Sequence, residues 1–425
     1  MEEKKIKVAW VCHFSNMEVR ERLKFKAYVD KRDIKDYAQW NTNAINEFKK
    51  FKNIELHVIS QHTGLSSDIQ EFSEEGIHYH FFRSEDDCLI FRIKRKLFKG
   101  KYLTPEYKDN VKRIISFVDH IKPELIHMIG AENPSYGISA LSMPKGVPLI
   151  VTLQTLMIDP DFFENYPITK QMYDYRSGIE RKVLQRADYV TCLAQRFKDV
   201  LNDNFKPKLR ILEMALIVGE NINITNCKKE YDFVYFAKEI EKAVDWAIEA
   251  FSIAYNKVPN ITLNIIGGYT KSTKESIDRR LNELNIANNV IFSGSLPTHD
   301  DVIAQVRKSR FAILPLKIDL ISGTIREAMS NGLPVVTTIT PSTPKLNETR
   351  TSVLLSEKGD FEGMANNMLY LLENDKAAKC LQSNAYKTME ERHNNETSAK
   401  LWCEAYYAVL DNNNNGTPIP NHLMK

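Results

Sequence analysis

The feature that most restricts what this chain can become is an alternation that runs through it twice: short β-branched or aromatic runs, each followed by a longer stretch with one apolar face. Lys7–Cys12, Ile54–Ser60, His78–Phe82, Leu125–Met128, Leu149–Leu153 and Tyr189–Leu193 read as strands, and Trp40–Phe51 and Tyr107–Ile121 read as amphipathic helices between them. Parallel neighbours need a crossover of a dozen residues or so, and helices supply it. A second cycle starts near Asp232, with strands Phe233–Ala237, Thr262–Ile266, Asn289–Gly294, Phe311–Leu316 and Pro334–Thr338, and helices Val244–Tyr255, Lys274–Leu284, Asp300–Val306 and Ile325–Asn331. The fold class is therefore α/β, as two doubly wound domains in tandem.

A length of 425 residues and 43% hydrophobic content suit that division. The polar segment Gly219–Tyr231 lacks apolar periodicity and reads as the linker, giving domains at 1–218 and 232–395. The aromatic-rich segment 396–411 is an amphipathic helix that packs on its own domain or returns to the first, and the Asn-rich tail 412–425 reads as disordered. Fifty-eight basic against fifty-five acidic residues, net +3, argue against a nucleic-acid partner. Six scattered cysteines without a CxxC pair suggest neither a disulfide framework nor a structural metal. With no leader-like N-terminus and no apolar run of about 18 residues, a cytoplasmic setting is expected. The basic segment Phe91–Tyr102, with Ile93, Leu97 and Phe98 among its cations, is either a solvated face or a peripheral contact with an anionic membrane.

In open parallel sheets ligands bind beyond the carboxyl ends of the strands. After the strand ending at Leu316 come Asp319, then Ser322, Gly323 and Thr324 opening a helix that carries Glu327. Backbone N–H groups at such a helix start suit a diphosphate, although Ser322 or Thr324 also serves as a plain N-cap. Lys238 and Lys242 follow the strand ending at Ala237; they are leaving-group cations or simply a solvated helix start. Gly267 and Gly268 permit a tight turn but form no phosphate-binding P-loop. In the first half His13, His127 and Glu132 lie at strand ends, where a substrate hydroxyl could be oriented or deprotonated, or where each is a satisfied structural group. Arg20 and Arg22 read as surface charge.

The order of these parts from Tyr231 to Lys358 resembles the donor-binding domain of retaining glycosyltransferases of family 4, and Asp319 and Glu327 stand at the two ends of that family's E-x7-E motif. The resemblance implies the GT-B fold, two Rossmann-like domains facing across a cleft. It implies that Glu327 binds the ribose of a nucleotide-sugar, Asp319 the transferred sugar, and Ser322, Gly323 and Thr324 the diphosphate. Lys238 and Lys242 would stabilise the leaving group, with the base near Ser293, Gly294 and Leu296, and no metal would be required. A UDP-sugar is favoured as donor, a GDP-sugar being the other candidate, and the acceptor is a glycan or lipid-linked glycan in surface polysaccharide synthesis. Departures from the family pattern are Asp in place of the first Glu, Leu320 in place of a glycine, a tighter Lys238 to Lys242 spacing, and the replacement of the glycine-rich loop after the first strand by a segment containing His13, Ser15 and Asn16. With Glu132 and Gln154, these three are the acceptor-side candidates. A nucleotide-sugar epimerase using His13 and Glu132, and a sugar-nucleotide or glycan-binding protein without activity, are the alternatives.

Overall fold

The computed structural model describes residues 5–87, 106–165, 168–205, 209–214, 216–217, 227–240, 243–319 and 322–424. Two compact units emerge: Met1–Leu193 with Phe197–Ile217 and Asn395–Lys425, and Ala194–Arg196 with Val218–Asn394. The first holds β1 (Ile6–Cys12), β2 (Ile54–His62), β3 (Ile69–Glu74), β4 (Ile77–Arg83), β5 (Leu125–Ile129), β6 (Leu149–Thr152), β7 (Tyr189–Thr191) and β8 (Arg210–Leu212). Their spatial order is β3-β4-β2-β1-β5-β6-β7-β8, parallel except for the β3–β4 hairpin. The second unit holds β9 (Tyr231–Glu239), β10 (Leu263–Gly268), β11 (Val290–Gly294), β12 (Ser309–Ile313), β13 (Val335–Thr338) and β14 (Leu354–Ser356), in the order β11-β10-β9-β12-β13-β14. That is the 3-2-1-4-5-6 order of a doubly wound sheet, and in both units the order reverses beside the first strand, leaving a crevice at its carboxyl end.

Burial on both faces explains the unbroken apolar strands: Val8, Ala9, Trp10, Val11 and Cys12 are all fully buried. β3 escapes a search for apolar runs because it is an edge strand, and its residues are exposed or half-exposed.

The C-terminal segment belongs to the first unit. Helix Asn395–Asn415 buries Trp402, Tyr406 and Val409 in that unit's core, and the Trp10 indole donates to Tyr406 Oη at 2.9 Å. The disorder expected for 412–425 is not found there: the helix continues to Asn415, and Leu423 is fully buried, its carbonyl accepting from the Glu213 N–H. The asparagine run is polar, but the apolar anchor beyond it gives the tail something to bury. Among the described residues no helix is long and apolar enough to cross a membrane. The basic segment Phe91–Tyr102, and most of the expected linker, lie outside the described residues.

Candidate functional site

Consecutive strands of the second unit bring the sequence candidates to one end of its sheet. β11, β10, β9 and β12 are neighbours and parallel, so the residues that follow them share the carboxyl edge. Lys238 is exposed near the end of β9, while Lys242 lies outside the described residues. Gly267, the last residue but one of β10, has φ +144°, and a Cβ there would meet the Ala237 carbonyl oxygen at 2.0 Å, so glycine is required by the approach of β9. Gly294 ends β11 at φ +67°. Ser293 donates to Asn264 Oδ1 (2.7 Å) and accepts from Gln305 Nε2 (3.0 Å), which engages its hydroxyl within the unit, and Leu296 packs on the core. Beside this edge Tyr269, 39% exposed, meets the Phe292 ring edge-on at 6.0 Å.

Helix Gly323–Ser330 opens beyond β12. Ser322 has extended backbone angles and makes no side-chain cap; its hydroxyl bonds that of Thr324 instead, at 2.7 Å. The N–H groups of a first helical turn have no partner within the helix, and no Ser322 side chain closes this one, the arrangement that accepts an anion. Glu327, on the next turn, has its carboxylate 3.8 Å from His299 Nε2. His299 is the first residue of helix His299–Arg307, whose start is fixed by the capping box of Thr298 and Asp301. Sequence reasoning missed His299, because its partner lies on another helix and no spacing links them.

Asp319 departs from expectation. It is 3% exposed, and its carboxylate accepts from the Ser342 N–H (2.8 Å), the Ser342 hydroxyl (2.7 Å) and the Arg196 N–H (3.1 Å), all within the second unit. It ties its own loop to the Ser342 segment and to the start of helix Gln195–Phe205.

In the first unit β1, β5 and β6 are neighbours, and His13, Glu132 and Gln154 follow them. Glu132 is 6% exposed; burial pushes its carboxyl up to about 7, with Arg176 opposing. With its amide turned to satisfy both ends, Gln154 donates to Glu132 Oε1 (3.1 Å) and accepts from the Trp40 indole (3.0 Å). Arg176 Nε donates to the Glu132 carbonyl at 2.9 Å. His13 stacks on Tyr37, and its Nδ1 is 3.1 Å from the Tyr136 hydroxyl. Glu180, fully buried, joins the group electrostatically: burial and then Glu132 raise it to about 8, while the Met157 and Ile158 N–H groups and Arg176 oppose.

Three candidates are structural. His127 lies inside β5, not beyond it; it is fully buried, with Nδ1 2.6 Å from Tyr406 Oη and Nε2 2.6 Å from Thr152 Oγ1. Burial drives its pKa down to about 3, so it is a neutral core group. Ser15, fully buried, accepts from Arg20 Nη1 (3.0 Å) and lies 3.2 Å from His62 Nε2. Asn16 is the N-cap of helix Met17–Arg22, accepting from the Val19 N–H at 2.9 Å. Arg20 is likewise internal, 1% exposed and paired with Asp36 at 2.6 Å.

Residues 231–374 match the family model described as glycosyl transferases group 1. The chain is similar to the sulfoquinovosyl transferase of Arabidopsis thaliana, 22% identical over 320 residues that make up 70% of this chain and 59% of that protein. It thus spans about three fifths of that relative's length. Among solved structures it resembles sucrose-phosphate synthase of Thermosynechococcus elongatus, with TM-score 0.69 and 15% identity over 95% of this chain and 99% of the other. It also resembles Anabaena HepE in complex with UDP and glucose, with TM-score 0.62 and 13% identity over 95% and 99%.

Proposed function

We propose that this chain of GT-B fold, whose second unit carries the group 1 glycosyl transferase domain, moves a sugar with retention from a UDP-sugar to the hydroxyl of a glycan or lipid-linked glycan. The observation that carries the reading is the edge beyond β12: an uncapped helix start at Ser322–Thr324 with Glu327 one turn on, inside the matched domain. In this reading the diphosphate takes N–H bonds from Gly323 and Thr324, and Glu327 accepts from the ribose hydroxyls while His299 orients its carboxylate. The base lies along Gly294–Leu296, where the Tyr269 ring offers a face for stacking. Lys238 and Lys242 stabilise the charge that develops on the departing phosphate oxygen, which fixed cations do better than reorganising water. Asp319 acts as a positioning residue through Ser342.

On the acceptor side Glu132, Gln154 and His13 hold hydroxyl groups. A carboxyl near neutrality donates or accepts as the hydroxyl demands, and the phosphate oxygen of the leaving group takes the acceptor's proton. UDP is favoured over GDP because the HepE structure of like fold holds UDP and glucose. A place in surface polysaccharide synthesis fits a donor-side architecture of this kind.

The test is thermal stabilisation by UDP, GDP and ADP and their sugar conjugates, in the wild-type chain and in Glu327→Ala. Ligand at about 100 times its Kd stabilises by roughly 2.7 kcal/mol. A shift with the UDP series that is reduced at least tenfold in apparent affinity by Glu327→Ala supports the reading. An equal shift in the variant removes Glu327 from the site, and no shift with any nucleotide removes the donor assignment.

A further inference from the structure

At the edge of the first sheet one face carries an unusual set of side chains. In β2 Glu55 and His57, in β4 His78 and His80, and in β3 Glu71 and Ser73 are brought side by side by the registers His57↔His78, Glu71↔His80 and Ser73↔His78. The alternate residues Leu56, Val58, Tyr79 and Phe81 go to the hydrophobic core, so the six polar groups share the opposite face.

Hydrogen-bond counting along this face leaves a deficit. Glu55 Oε1 is 3.2 Å from His57 Nε2, His57 Nδ1 is 3.0 Å from His80 Nε2, and His80 Nδ1 bonds the Glu71 carboxylate. Two carboxylates and two rings thus make three contacts, and each contact needs a proton. Two neutral imidazoles supply two N–H groups, so one contact is left without a proton unless one ring is an imidazolium or a bound cation takes the proton's place. Should His80 donate to Glu71 and His57 donate to His80, the empty contact falls between His57 Nε2 and Glu55. There a third donor waits: His78 stacks on His57 at 4.6 Å, its Nδ1 is bonded to Ser73 Oγ at 2.7 Å, and its Nε2 is left as a ligand. The ligand atoms of Glu55, His57 and His78 lie within 4.8 Å of one another.

We propose that Glu55, His57 and His78 bind a divalent transition-metal ion such as zinc, clamping β2 to β4. Two imidazoles and a carboxylate are a donor set that zinc favours, with ligand distances of ~2.1 Å and a fourth position left for water. The His80–Glu71 pair orients His57 through its other nitrogen, the outer support that metal-bound histidines have. Lys5 and Lys7 reach Glu55 at 3.5 and 3.4 Å and are displaced by the ion. The site lies in the early half of β2 and at the start of β4, away from the carboxyl ends where substrate binds, so the ion is structural.

The test uses the tag-free, chelator-treated full-length chain with zinc alone, and cobalt as a spectroscopic substitute. Expected are uptake of about one zinc per chain at micromolar concentration, a rise in Tm with zinc, and a cobalt absorption band of nitrogen and oxygen ligation. His78→Ala abolishes all three, and Glu71→Gln, which touches no metal, weakens binding ~10-fold. Absence of saturable uptake overturns the proposal. So does unchanged uptake in a His57→Gln/His78→Ala chain whose circular dichroism matches the wild type, and so does a ring-nitrogen NMR spectrum showing an imidazolium in this cluster that zinc leaves unaltered.

Discussion

Replacing Glu180 by Gln should remove a pH dependence that the native chain has. Glu180 is fully buried in helix Lys170–Arg186, with Oε2 accepting from the Ile158 N–H at 2.8 Å and Oε1 without a hydrogen-bond partner. Burial raises its carboxyl from 4.5 to about 8, so in the folded chain it holds a proton that the unfolded chain releases near 4.5. A raised folded pKa contributes stability that is complete below the unfolded value and is lost as pH climbs toward the folded one. The loss runs at about 1.4 kcal/mol per pH unit, or roughly 3 kcal/mol between about pH 5 and about pH 7.5. Gln keeps the carbonyl that accepts from Ile158 and has nothing to ionise. Urea unfolding followed by tryptophan emission reads the right unit, since Trp10, Trp40 and Trp402 belong to the first and Trp246 to the second. Glu180→Gln should gain on the wild type by roughly 3 kcal/mol across that window. Glu132, raised to about 7, adds a slope of the same size below about pH 7 to both proteins and cancels in the comparison. Parallel profiles, within about 0.5 kcal/mol across the window, would refute the linkage argument.

Gly267→Ala should destabilise the second unit by on the order of 3 kcal/mol, since its Cβ would strike the Ala237 carbonyl at 2.0 Å with φ at +144°. Gly146→Ala, with nothing within 4 Å of the new Cβ, serves as the neutral control in the same calorimetric scan. Tyr406→Phe should cost the first unit about 2 kcal/mol by leaving the buried Trp10 N–H and His127 Nδ1 without their shared hydroxyl. An unchanged urea midpoint would show that those groups find other partners.

Periodicity along the chain determined that parallel sheets form and where most of their strands run, because burial on both faces is written as an unbroken apolar run. The same strand-end logic singled out Ser322–Thr324, Glu327, Glu132 and Gln154, since in a parallel sheet position after a strand fixes position at the sheet's edge. What a side chain does there was decided by partners far away in sequence. Asp319 is held by Ser342 and Arg196, Glu327 meets His299, and His127 is enclosed by Thr152 and by Tyr406 from a helix 279 residues on. A polar side chain is defined by who completes its hydrogen bonds in a medium that penalises any left unmet, and those partners become neighbours only when the strands and the C-terminal helix have packed.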